Sequence, residues 1–199
     1  MSDSSNKKGA GRKVLLLLAV IFVLPFTVAA TLHMLDLRPT GHSYGSLVNP
    51  PKNLKFTNLR TNNGAVIKPE QWLKKWSIVT VDNAGCQAPC QAQVQVIKQV
   101  HISLGKEYKR IQRILIVPAD MDEANLTALK TKNPELKIIA NSDLETAALA
   151  KQFALGGDSS GQIYLVDPLG NLMMSYNKDN DPKGLRSDLT RLLKNSWAG

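Results

Sequence analysis

Apolar and polar positions alternate along this chain in three different ways. Residues 14–32, VLLLLAVIFVLPFTVAATL, are 19 residues without a charge, preceded by the polar stretch MSDSSNKKGAGRK. At about 1.5 Å per residue such a helix crosses the roughly 30 Å hydrocarbon layer of a bilayer. Lys7, Lys8, Arg12 and Lys13 lie before it and a mixed segment with Asp36 and Arg38 after it, which places the N-terminus in the cytoplasm and the chain from about His33 onward outside. Pro25 falls inside the run, where membrane helices accept proline. A cleaved secretory leader is the alternative, because Val28-Ala29-Ala30 offers small residues for a peptidase. The run exceeds the ~7 to 15 residues of a leader core, so the reading is a retained anchor. Either way the remainder reaches an exported, oxidising space.

The second regime, LDLRPTGHSYGSLVNPPKN, is rich in Pro, Gly, Asn and Ser, has no helical or strand period, and reads as a tether. The expected organisation is a cytoplasmic stub at 1–13, a transmembrane anchor at 14–32, a tether at 33–53 and a folded domain at 54–199.

In the third regime, apolar runs alternate with helical patterns. KFTNLRTNNGAVI has two short runs around Asn62-Asn63-Gly64, a hairpin signal. WSIVTVD (76–82), RILIVPA (113–119) and ELKIIAN (135–141) read as buried strands, and QIYLVDPLGNLMMSYN (162–177) as two strands around a Pro-Gly turn. Helices are expected from Pro89 to about Leu104, over MDEANLTALKTKN up to Asn133-Pro134, and from Ser142-Asp143-Leu144-Glu145, a capping-box pattern. DPKGLRSDLTRLLKNSW forms a last, amphipathic helix with Leu185, Leu189, Leu192 and Leu193 on one face. The order hairpin, β-α-β-α-β-α-β-β-α predicts an α/β fold: a central sheet flanked by helices on both faces, with the last hairpin as an antiparallel edge.

Composition changes this picture little. The formal charge is +9, but four basic residues against one acid give the first 13 residues +3. The remaining +6 is scattered over Lys74, Lys75, Lys109, Arg110, Lys130, Lys132 and others, with no basic stripe interleaved with aromatics. No nucleic acid is expected as a partner. The domain is long enough to bury a core of its own and is expected to be a monomer.

The candidate chemistry lies in DNAGCQAPCQAQ, which holds both cysteines of the chain, Cys86 and Cys90, where the strand from Trp76 ends and a helix begins. A helix N-terminus stabilises a thiolate at Cys86, and a second thiol nearby can resolve a mixed disulfide. A plain structural disulfide is the competing reading. Residues four apart can reach the ~4.4–6.8 Å Cα separation such a bond requires, yet so small a loop constrains the unfolded chain little.

Cysteines at the carboxyl end of the first core strand, leading into a helix, form a thioredoxin-like arrangement. The sequence resembles the Sco/SenC family, membrane-anchored thioredoxin-like factors that deliver copper to cytochrome c oxidase. The resemblance spans residues 54–197 and rests on Cys86-Gln87-Ala88-Pro89-Cys90 at the family's C-x-x-x-C position. It rests also on ILIVPAD with the acidic turn at 120–123, and on IYLVDPLG at 163–170. It implies Cys86 and Cys90 as the catalytic pair and as ligands of Cu(I). It implies too that the partner is an oxidase subunit or one of its copper-site assembly factors at the inner membrane, with the domain in the periplasm.

Two departures qualify that expectation. The family completes its site with a histidine after an aspartate; here Asp158 is followed by Ser159. Two thiolates still suit a soft ion, with lower affinity. As replacements, His101 is 11 residues beyond Cys90, roughly 16 Å along a helix, and reads as a packed residue. His33 lies at the membrane boundary, His42 in the tether, and Met173 and Met174 in the last hairpin, where packing accounts for the inward one. The second departure is the lack of a proline in ALGGDSSGQIYLV, where thioredoxin-type oxidoreductases carry a cis-proline. Three readings follow: an oxidase assembly factor working by thiol reduction or transient Cu(I) delivery; a tethered thiol–disulfide oxidoreductase with other clients; and a non-catalytic scaffold. Hydrolase and transferase chemistry is not expected.

Overall fold

The computed structural model describes residues 5–35, 43–61, 65–117, 121–140, 143–155, 161–177 and 181–196. The chain divides into two compact units, Met1–His42 and Ser43–Gly199.

Among the described residues, the first unit consists of helix α1 (Ser5–Met34), which contains Pro25. Thr27 Oγ1 donates to Leu24 O at 2.9 Å and Thr31 Oγ1 to Thr27 O, so the hydroxyls find acceptors inside the helix. The stretch Gly11–Leu32 is long and apolar enough to cross a membrane, and none of it is buried in the protein. A helix that is apolar all round and exposed suits a bilayer or a leader rather than water.

The second unit is a six-stranded sheet in the order β1-β8-β7-β4-β5-β6. Its centre is β4 (Trp76–Val81) and β5 (Ile111–Val117), every residue of which is buried. Strands buried along their whole length belong in a sheet covered on both faces. β4 pairs in parallel with β5, and β5 in parallel with β6 (Leu136–Ala140). On the other side, β7 (Ile163–Val166) runs antiparallel to β4 and β8 (Asn171–Tyr176) antiparallel to β7. Asp167 turns the hairpin: its Oδ1 accepts from Leu169 N at 2.9 Å and Asn171 N at 2.7 Å.

Three helices cover one face: α3 (Ala88–Ile102), α4 (Glu123–Lys132) and α6 (Pro182–Asn195). There Ile97, Val100, Leu185, Leu189 and Leu193 pack on Ile78, Ile111 and Leu165, while Val94, Leu126 and Leu129 pack on Leu115 and Val117. The opposite face takes α5 (Leu144–Phe153), with Leu149 and Phe153 against Val79, Ile114 and Ile116. Trp72, from the short α2 (Pro69–Trp72), joins that cluster. The small hairpin of β2 (Leu59–Arg60) and β3 (Val66–Ile67) forms a separate two-stranded sheet, as its sequence suggests; its turn residues Asn62 to Gly64 lie outside the described residues.

Three expectations need correction. The stretch read as tether contributes β1 (Ser46–Asn53), which pairs antiparallel with β8 through Ser46↔Ser175 and Asn53↔Asn171, so the final hairpin is not the sheet edge. Pro50 and Pro51 hide that strand from a periodicity argument. They lack N–H groups and sit where the register shifts, between Leu47 and Lys52, a placement open only to an edge strand. The second strand begins at Ile111 rather than Arg113. Its buried Gln112 is satisfied, with Nε2 donating to Trp72 O and to Ser77 Oγ at 2.8 Å. Helix α5 takes Asp143 as its cap, the side chain accepting from Thr146 N at 2.7 Å, where the sequence suggested a box starting at Ser142, a residue outside the described ones.

Candidate dithiol site

The cysteine loop is held by the end of β4. Asp82 N donates to Ile116 O at 3.0 Å, continuing the ladder by one residue. The buried Asp82 carboxylate then turns the chain: its Oδ1 accepts from Ala84 N at 3.0 Å and from Cys86 N at 2.8 Å. Gly85 and Cys86 both have positive φ, 74° and 55°. Glycine takes that conformation freely, but a β-carbon makes it costly, on the order of 1 kcal/mol or more for Cys86. The Asp82 acceptor and a bond from Gln91 Nε2 to Cys86 O at 3.2 Å hold the cysteine in it.

Cys86 and Cys90 form a disulfide with their Cα atoms 5.0 Å apart. Cys90 is the third residue of α3, behind Ala88 and Pro89, and no side chain caps this helix. Pro89 has no N–H to satisfy, and the other first-turn amides face the end at which Cys86 lies. Cys86 is fully buried, whereas Cys90 borders a cavity of about 570 Å³. Asp82, Gln93, Ile163, Tyr176 and Asp181 line the same cavity. Gln93 Nε2 donates to Gly161 O at 2.8 Å, tying α3 to the chain just ahead of β7. Burial first, then the neighbouring Asp188, raises the Tyr176 phenol well above its ordinary range, so this wall of the cavity stays uncharged.

The two expected cysteines thus meet; among the described residues, none of the candidate third ligands joins them. Asp158, Ser159 and His42 lie outside the described residues, as does the side chain of His33. His101 is buried near the far end of α3. Its Nδ1 accepts from Arg113 Nε at 3.2 Å, so Nε2 carries the proton and donates to Tyr108 O at 2.8 Å. Burial, reinforced by Arg113, lowers its pKa to about 4 against the opposing pull of Glu135. That makes it a neutral packing group. Met174 is buried and receives a contact from Tyr176 Oη at 3.6 Å, and Met173 packs beside it. Among the described residues, no group of three or more His, Cys, Asp or Glu converges to hold a metal. A two-sulfur donor set fits a low-coordinate soft ion such as Cu(I) only with the disulfide reduced.

Two contributors escaped sequence reasoning. Asp82 passed as the last residue of a strand, although an acid four positions before a cysteine at a buried strand end is a signal for a loop-holding side chain. Met121 packs against the cluster that contains both cysteines, a tertiary contact that no local pattern encodes.

A family model described as transmembrane-like, thioredoxin-like, C-terminal domain matches residues 76–196. No curated protein is significantly similar in sequence. Among solved structures, copper-bound Sco1 from yeast superposes with a TM-score of 0.62 at 20% identity, over 73% of this chain and 95% of the other. Apo Sco1 from Thermus thermophilus gives 0.60 at 18% identity, over 79% and 98%. A thiol:disulfide interchange protein from Bacteroides sp. gives 0.55 at 12% identity, over 74% and 91%. These likenesses establish a thioredoxin-like fold shared with Sco proteins.

Proposed function

Since the chain belongs to the family of transmembrane-like, thioredoxin-like C-terminal domains, we propose that it is a membrane-anchored, Sco-like factor in the assembly of a respiratory copper oxidase. Cys86 and Cys90 are its working groups. The observation that carries this reading is the disulfide at the end of β4, with Cys90 bordering a cavity and Cys86 sealed beneath it. An incoming thiolate from the cavity attacks Cys90 Sγ. A new S–S bond forms there, the Cys86–Cys90 bond breaks, and Cys86 leaves as a thiolate at the uncapped start of α3, where the helix dipole favours negative charge. A second thiol of the donor attacks the mixed disulfide, releases Cys90 as thiolate and leaves the donor oxidised. Run in reverse, the reduced pair reduces a disulfide at the oxidase copper site. In the same reduced state the two sulfurs can take Cu(I) as cargo.

In this reading α1 anchors the protein in the inner membrane, residues 1–13 stay in the cytoplasm and the domain works in the periplasm as a monomer. A reporter enzyme active only outside the cytoplasm, fused after Gly199, is expected to be active and to sediment with membranes. A soluble form beginning near Thr31 would contradict the anchor.

A broader thiol–disulfide oxidoreductase is the second reading, favoured by the disulfide itself and by the likeness to the Bacteroides interchange protein. Copper separates the two. Reduced full-length protein in neutral detergent, titrated against a Cu(I) chelator of known affinity, is expected to hold one Cu(I) per chain and to lose it on Cys86→Ser or Cys90→Ser. The Sco/SenC resemblance puts the missing ligand at residue 159. Ser159→His is therefore expected to tighten binding tenfold or more, a gain of about 1.4 kcal/mol. A wild-type chain that leaves the chelator fully loaded would remove the copper role and leave the oxidoreductase.

A further inference from the structure

The lysines that read as scattered in sequence converge at the opposite end of the sheet from the cysteines. The cysteine loop follows the carboxyl end of β4. Lys74 and Lys75 precede its amino end, a strand length of about 20 Å away. There a second cavity, of about 500 Å³, is lined by Lys74, Lys75, Lys109 and Lys137. They come from three separate segments: the turn after α2, the end of the short 3-10 helix Gly105–Arg110, and the start of β6.

Two carboxylates, Glu70 and Glu135, also line the cavity, but among the described residues no ion pair joins either to any of the four lysines. Glu135 is engaged instead by the Tyr108 hydroxyl. His101, at the inner wall, is neutral. The lining therefore carries an excess of two positive charges. Lys137 is the fixed member. Half-buried, it donates from Nζ to Gln71 O at 2.9 Å and to Gln112 Oε1 at 2.8 Å. Both acceptors are neutral, so they position the ammonium without cancelling its charge, and its third N–H is left for a group in the cavity. Lys75 is close enough to depress the pKa of both Lys137 and His101, after burial in each case. Lys74 occupies a left-handed backbone position, φ 76°, where glycine would be unstrained. Lys74, Lys75 and Lys109 are exposed and Lys137 is half-buried; like charges gathered there with no ion pair among the described residues to offset them oppose folding, and departures of this kind concentrate at binding sites.

We propose that this cavity binds an oxyanion of the phosphate class. The three N–H donors of each lysine ammonium suit phosphate oxygens as point charges, the net positive lining favours an anion, and the volume falls within the ~300–1,000 Å³ of small-ligand sites. The anion is either a soluble phosphate compound or a phospholipid headgroup. Nothing in the proposal depends on the role of the cysteines.

Inorganic pyrophosphate is the probe for the soluble source. Calorimetric titration of the full-length protein in neutral detergent at low salt is expected to show one saturable site. Lys75→Glu combined with Lys137→Gln should weaken it at least tenfold, while Lys75→Arg and the distant Lys52→Glu leave it intact. For the lipid source, the full chain is placed in nanodiscs of phosphatidylcholine alone or with one third phosphatidylglycerol. Protection of Lys75 and Lys137 from acetylation, read by mass spectrometry, only in the discs with phosphatidylglycerol assigns the headgroup. Pyrophosphate binding that survives the double substitution, or neither binding nor protection, overturns the proposal. So does saturation by a hexaglutamate peptide but not by pyrophosphate, which would make the cavity a dock for an acidic protein segment.

Discussion

A buried histidine and a buried aspartate show how single side chains tie this domain to its conditions. His101 rests in the fold as the neutral imidazole, its pKa lowered to about 4 chiefly by burial. Unfolded, it takes a proton near 6.5. Stability from this residue is thus fully present above pH 6.5 and is lost as pH falls toward 4, about 3 kcal/mol for a shift of this size. Urea unfolding of the wild type and of His101→Gln at pH 7.5 and pH 4.5 should show the wild type losing more stability than the variant on acidification. Equal losses would contradict the account. At the cysteine loop, Asp82 holds the strained backbone of Cys86, and the C-x-x-x-C spacing announced the pair but not its support. A backbone conformation of positive φ at a non-glycine residue leaves no trace in composition or period.

Element by element, the chain was most legible where burial is two-sided. β4, β5 and β6 each carry a core of Ile, Val and Leu whose meaning needs no partner, and the leucines at 185, 189 and 193 lie at helical spacing on the packed face of α6. The edge strand β1 was not legible, because its order comes from pairing with β8 rather than from its own side chains. Its entry into the sheet depends on Asp188, a buried α6 carboxylate. Its Oδ2 accepts from Tyr44 N at 2.8 Å, Gly45 N at 3.1 Å and the Tyr176 hydroxyl at 3.1 Å. Close packing reinforces the latch: a β-carbon on Gly45 would come within 2.6 Å of the Tyr176 ring, and one on Gly184 within 2.7 Å of Tyr44. Asp188→Ala strands three donors, a loss of roughly 3 kcal/mol or more. Limited proteolysis should then cut within residues 43–53 at protease levels that leave the wild type whole, with Asp188→Asn intermediate. Unchanged cleavage would show that β1 is held by its ladder alone.

At the scale of the whole molecule, an apolar exposed helix precedes a thioredoxin-like domain whose two ends carry different chemistry. Sulfur lies at the carboxyl end of the sheet and clustered ammonium groups at the amino end. The first was readable because both cysteines fall in one short segment. The second was not, because Lys75, Lys109 and Lys137 are brought together only by parallel pairing of β4, β5 and β6. The proposed role asks the disulfide to work rather than to staple. A loop closed over four residues contributes only about 2 kcal/mol, so serine variants should stay folded and any defect should be chemical. The most direct measurement is the copper content and activity of the terminal oxidase in membranes of cells that lack this protein and are complemented with each variant. The wild type is expected to restore both, and Cys86→Ser and Cys90→Ser neither, at equal levels of folded protein. Full restoration by either serine variant would contradict the account and leave the domain a scaffold.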